Sequence, residues 1–182
     1  MGLRDWFRGH KVSDLAKEHF EKGVRLGGEG KLQQAILEFS SALNSSPSFV
    51  EAHLKRANTY LLLEQYHEAI SDFSEILSAK PRLVKALAGR ALAYVSKAKE
   101  IFEHHLKTGG KEYQLNWEEI NMPMDKLLRS IAPEKAMWIK ITNTLRDLLT
   151  RAEKDAETAI KIDPTNKIAH LVLKDLSKYD WH

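Results

Sequence analysis

Pro47 and Pro81 stand 34 residues apart, and the stretches that lead up to them match in register. Laying one on the other puts Gly23 on Ala57, Leu26 on Tyr60, Ala35 on Ala69, Phe39 on Phe73 and Leu43 on Leu77. Small residues recur where two helices of one unit would approach closely. A phenylalanine recurs where a gap between neighbouring units would need filling. A unit this short cannot bury its apolar face alone, so a chain built from it must stack copy on copy. Each proline lacks an amide hydrogen and disfavours helix in the residue before it, so each ends the second helix of a unit. Ser48 followed by Glu51 reads as a capping box that opens the next helix.

A third copy begins on schedule, with Ala91 and Tyr94 at its eighth and eleventh places. Its second half comes late, in RAEKDAETAIKIDPTN, where Ala152, Ala156, Ala159 and Pro164 take the twentieth, twenty-fourth, twenty-seventh and thirty-second places. Pro81 to Pro164 is 83 residues, 49 more than the period, which places an insertion at about 96–144, between the two helices of this copy. The helical stripe does not stop there. Tyr94, Ala98, Ile101, Phe102 and His105 continue it to about Lys107, where Gly109 and Gly110 would end it. On the far side a helix opened by Pro133 or Glu134 carries Met137 or Trp138, then Ile141, Leu145, Leu148 and Ala152. Both helices of the third copy are therefore expected to be over-long and to form an antiparallel hairpin.

The pattern resembles the tetratricopeptide repeat (TPR), a helix–turn–helix unit of 34 residues. The hallmark small residue, aromatic or Leu, Ala, large apolar residue and Pro are those aligned above. The resemblance implies an all-α TPR α-solenoid, a right-handed superhelix of helix pairs, with an extended αα-hairpin in the third repeat and a C-terminal capping helix. The expected limits are an N-terminal segment 1–12 and a single TPR domain 13–182. Within it repeat one is 16–49, repeat two 50–83, repeat three 84–166 and the cap 167–179.

The resemblance further implies that the concave face, lined by the first helix of each pair, binds a peptide. Carried onto this chain, the family's groove places fall on Phe20 and Val24 in the first repeat. In the second they fall on Leu54, Asn58, Leu61 and Leu62; in the third, on Lys85, Ala88, Leu92 and Val95; in the cap, on Leu171. Such a wall is mostly apolar and suits an apolar or amphipathic peptide. One subclass grips the C-terminal carboxylate of chaperones with a basic clamp, but its five places hold Phe20, Val24, Lys55, Lys85 and Gly89, and only Lys85 fits. The insertion offers a second contact surface in Trp117, Met122, Met124, Leu127 and Trp138. A solvent loop would not carry that much apolar surface, so the insertion is expected to dock on the protein, covering part of the groove, or on a partner.

No catalytic constellation emerges. GGEGK at 27–31 lacks the Ser or Thr and the spaced Gly of a phosphate loop, and it falls where the repeat turns. His104 and His105, one turn after Glu100, lack a third metal ligand, and His19, His53 and His170 sit where large side chains pack. The chain has no cysteine, which excludes disulfides and thiolate metal sites and makes a cytosol-like, cytoplasmic compartment the expectation. No apolar run approaches the length of a membrane span. A net charge of +3 with alternating signs is not a nucleic-acid stripe. The expected function is a non-catalytic protein-interaction module: an adaptor, assembly factor or co-chaperone-like scaffold. It needs no cofactor or metal and has a protein or peptide partner. The alternative is a structural subunit held through the hairpin and aromatic termini, and a homo-oligomer is left open.

Overall fold

A computed structural model describes residues 12–108 and 133–177. Seven helices occur among them, and no strand: α1 Asp14–Gly28, α2 Leu32–Ser45, α3 Val50–Leu62, α4 Tyr66–Ala79, α5 Val84–Lys107, α6 Pro133–Ile162 and α7 Lys167–Leu176. They form three antiparallel pairs, α1/α2, α3/α4 and α5/α6, and α7 lies across α5 and α6. The N-terminal segment, the glycines 109 and 110, the insertion residues Trp117, Met122, Met124 and Leu127, and the aromatic tail lie outside the described residues.

The joints between pairs share one design. Pro47, Pro81 and Pro164 each follow the first residue of a tight turn, closed by amide-to-carbonyl bonds from Phe49 to Ser46, Leu83 to Lys80 and Asn166 to Asp163 at 3.0–3.2 Å. Proline's fixed φ suits this second turn position. The capping box expected from Ser48 and Glu51 does not form. Ser48 lies inside the turn, the residue before the helix is Phe49, and no side chain caps α3. True side-chain caps occur at Ser13 and Asn166, whose oxygens accept from the amides of Ala16 and Ala169.

The turns within the first two pairs explain why α5 does not stop at the corresponding place. Gly30 (φ 76°) and Glu64 (φ 58°) are in the left-handed region and end α1 and α3. At each, the next amide reaches back five residues, Lys31 to Leu26 and Gln65 to Tyr60, both at 2.9 Å. This is the bond of a Schellman stop. The residue 34 further on is Ala98, which stays helical and buried, so α5 runs on to Lys107. Its stripe then meets α6. Trp138, rather than Met137, faces inward: its indole stacks on His105 at 5.2 Å between centroids and lies 6.3 Å from Phe102, while Met137 is 55% exposed.

Phe39 and Phe73 are both buried, each against a glycine. A Cβ on Gly23 would lie 2.7 Å from the Phe39 ring, inside the first pair; one on Gly89 would lie 2.4 Å from the Phe73 ring, between the second and third pairs. A single core joins α3 through α7, centred on Phe73, Ile76, Leu145 and Val172. The first pair is held by two smaller clusters, one around Ala16, Leu43 and Phe49 and one around Leu26, Ala35 and Phe39.

Candidate functional site

The first helices of the pairs share one face, and a groove of about 680 Å³ runs along it. Phe20 of α1, Leu54 and Leu61 of α3, and Ala88, Gly89 and Leu92 of α5 supply its apolar part. Phe20, Leu54 and Ala88 are spaced by the repeat, as are Asn58 and Leu92, so the groove is a direct product of helix stacking. The remaining wall is polar: Glu51, Lys55, Asn58 and Lys85, with Asp163, Thr165, Asn166 and Lys167 from the α6–α7 joint. Ile168, half-exposed at the start of α7, closes the end. The Asp163 carboxylate accepts from the hydroxyl of Thr165 at 2.7 Å and from its amide at 3.0 Å, and these bonds hold it below the usual carboxylate range.

Behind the groove an ionic ladder recurs with the repeat. The Arg56 guanidinium donates to both oxygens of Asp72 at 2.7 and 2.8 Å and to the Ser40 hydroxyl of the preceding pair at 2.9 Å. Arg90 repeats this on Asp155 at 2.7 and 2.9 Å and on Ser74 at 3.0 Å. Lys22 and Glu38 form the weaker first rung at 2.5 Å. Burial alone would push the Asp72 carboxyl up, but the bonds from Arg56 and His53 hold it below its ordinary value. The other His53 ring nitrogen meets the Pro47 carbonyl at 3.0 Å, and His170 meets the Pro164 carbonyl in the same way at 2.7 Å. The Arg56 and Arg90 rungs tie their helices to the partner helix and to the preceding pair. The ladder has a signal in the sequence. Lys22, Arg56 and Arg90 are spaced by 34, and Glu38 and Asp72 follow suit. Asp155 falls in line once the 49-residue insertion is subtracted.

The model of the tetratricopeptide repeat matches residues 50–83, the α3/α4 unit with the turn that follows it. Residues 50–83 are a tetratricopeptide repeat, in an all-α solenoid with the fold of a TPR domain. Among solved structures, the first TPR of Spaghetti (RPAP3) bound to the HSP90 peptide SRMEEVD is similar at 19% identity, covering 93% of this chain and 97% of that one with a TM-score of 0.62. The second TPR domain of human RPAP3, in complex with the HSP70 peptide SGPTIEEVD, is similar at 19% identity over 91% of this chain and 97% of that one, TM-score 0.60. The Arabidopsis OM64 TPR domain follows at 17%, 91% and 96%, TM-score 0.58. No curated protein matches the chain in sequence.

Of the expected groove residues, the structure gathers Phe20, Leu54, Asn58, Leu61, Lys85, Ala88 and Leu92 along one channel. Val24, Leu62 and Leu171 do not line it; they stand exposed outside it, Leu62 at 71% and Leu171 at 58%. Val95 is buried, because the extended α5/α6 hairpin and α7 cover the place that is open in the other pairs. The wall is mostly apolar, as expected, and three lysines and two carboxylates border it. The joint residues Asp163 to Lys167 were missed because only the fold brings them alongside Lys85. Among the described residues no group of three His, Asp or Glu side chains is arranged to hold a metal, and no helix is long and apolar enough to cross a membrane.

Proposed function

We propose that the chain is a non-catalytic protein-interaction module and that its groove binds an amphipathic peptide. Apolar side chains of the peptide would meet Phe20, Leu54, Leu61 and Leu92, and acidic ones would meet Lys55, Lys85 and Lys167. The observation that carries this reading is the juxtaposition itself. An apolar channel on stacked helices is bordered by three lysines. Two similar TPR domains have peptides, SRMEEVD and SGPTIEEVD, bound in their solved structures. We further propose that residues 13–182 form one domain whose third repeat, 84–166, is interrupted by the hairpin.

The carboxylate clamp is not part of the proposal. Phe20, Val24 and Gly89 offer nothing to a terminal carboxylate, and only Lys85 occupies a clamp place. The decisive experiment selects peptides from a random displayed library on the intact protein and measures their affinity by fluorescence anisotropy. Leu54→Arg with Leu92→Arg, and separately Lys85→Glu, are expected to weaken selected peptides at least about tenfold, the loss of one well-made contact. SRMEEVD is expected to bind no better than the millimolar range. Peptides unaffected by the groove changes but lost on Leu106→Ser with Met137→Ser would transfer recognition to the hairpin. Those two side chains are 44% and 55% exposed near its far end, and that result favours the structural-subunit reading.

A further inference from the structure

The groove is not uniform along its length. One place of the repeat sets its floor, and that place holds Phe20 in α1, Leu54 in α3 and Ala88 in α5. Only α5 has a small residue there. Ala88 is fully buried, whereas Phe20 and Leu54 keep part of their surface open. Beside it Gly89 offers backbone alone, because the Phe73 ring occupies the space where a Cβ would stand. The floor is therefore recessed over α5 by the difference between a leucine and an alanine side chain. Leu92, one turn beyond Ala88, and Leu54, at the equivalent place of α3, border the recess. Both pack against the main core, to which Ala88 itself belongs.

The rim beside the recess is cationic. Lys55 adjoins Leu54, and Lys85 precedes Ala88 by one turn. Both are exposed, and among the described residues neither has an ion-pair partner. Of the two carboxylates on the same rim, Asp163 is held by Thr165, which leaves Glu51 against three lysines. A main-chain amide pressed into the recess would find an apolar floor and no hydrogen-bond partner, whereas an apolar side chain loses nothing there. We propose that the recess over Ala88 is the selectivity pocket of the groove, taking one large apolar side chain, of leucine size or bulkier, from a peptide that carries Asp or Glu a few residues away for Lys55 and Lys85. Phe20 and Leu54 fill the equivalent places with their own side chains, so α1 and α3 present no such pocket. The inference rests on the groove being the peptide site.

The test continues the library selection on the full chain. Peptides that lose binding on Leu54→Arg with Leu92→Arg form the groove-dependent set. They are expected to share one position restricted to large apolar residues, with an acidic residue nearby. Alanine at that position is expected to weaken binding about 10- to 100-fold in fluorescence anisotropy. Ala88→Val raises the floor and is expected to weaken the same peptides about tenfold. Leu92→Ala widens the recess and is expected to move the preference at that position towards Phe and Trp. Lys85→Gln, on the surface, is expected to relax the acidic preference and leave the apolar one. Thermal unfolding checks that each variant is folded, and Leu92→Ala decides where Ala88→Val is not. A groove-dependent set that tolerates alanine at every position, or a preference unmoved by Leu92→Ala, overturns the pocket and leaves the groove as the peptide site. The absence of any groove-dependent peptide overturns both.

Discussion

Asp72 is 5% exposed, and three groups converge on or around its carboxylate: Arg56 with two bonds, His53 with one, and Ser40 through the shared guanidinium. Removing it strands the Arg56 charge in a half-buried place. Asp72→Ala is therefore expected to cost about 3 kcal/mol in urea unfolding. The folded carboxyl titrates below its ordinary value, so its contribution is complete above the unfolded pKa of about 3.9 and fades as pH falls through the folded one. The unfolding midpoints of the native chain and Asp72→Asn should stay apart above about pH 5 and converge as pH falls below about 4. A gap that widens in acid would contradict the assignment. Glu64 gives the opposite kind of prediction. It holds a left-handed φ that its counterpart Gly30 holds without strain, so Glu64→Gly should stabilise by about 0.5–1 kcal/mol in the same assay. At this scale the sequence was readable wherever a residue acts through its own backbone or volume: the prolines, the glycine of the first turn and Phe73; Phe39, expected to fill a gap between units, packs instead inside the first pair against Gly23. The sequence was misread at Ser48, because a capping box and a proline turn use overlapping residues and the turn prevails here. The Asp72 ladder went unread because isolated charges look like a solvated surface until partners are brought in from 16 residues away, or from 65 in the case of Arg90 and Asp155.

Two of the helix contacts in this chain turn on a glycine set against a phenylalanine ring. Gly89 lets α5 pass over the Phe73 ring, and the ring is enclosed by the core on its other sides. A methyl group there has nowhere to go. Gly89→Ala is expected to destabilise by about 1–3 kcal/mol in thermal or urea unfolding despite the better helix propensity of Ala. Gly28→Ala is the control, since an added Cβ there meets nothing within 4 Å, and it should change stability little. Equal effects from the two would remove the close-approach explanation. The over-long α5 and α6 were legible because their apolar stripes continue unbroken through Phe102 and from Ile141 to Ala152. Their consequence for the groove was not. Once α6 runs alongside α5, Val95 changes from an open wall residue to a core residue, a change that no local pattern encodes.

Stability in stacked repeats is close to a sum of unit and interface contributions, so an uneven core implies uneven opening. The architecture itself was legible from a period and five aligned positions, because a 34-residue unit leaves the chain few other ways to bury its apolar faces. The distribution of the core was not legible, because it depends on α6 and α7 returning across an insertion to join α5. That return gives α3 to α7 one continuous core, whereas α1 and α2 rest on two small clusters linked through Phe20. Amides in residues 14–45 are therefore expected to exchange with solvent by local opening at a lower free energy than those in 84–98 and 145–159. Phe39→Ala and Phe73→Ala should separate the two regions. Each removes a buried ring and should cost about 3–5 kcal/mol locally. The first should raise exchange mainly in 14–45 and leave the α5/α6 amides protected. The second cuts the shared core and should raise exchange from α3 to α7. Uniform protection across the chain, or identical exchange patterns in the two variants, would show that the helix pairs open as one unit. The groove wall at Phe20 would then be as rigid as the rest, and its geometry could be taken as fixed before any peptide arrives.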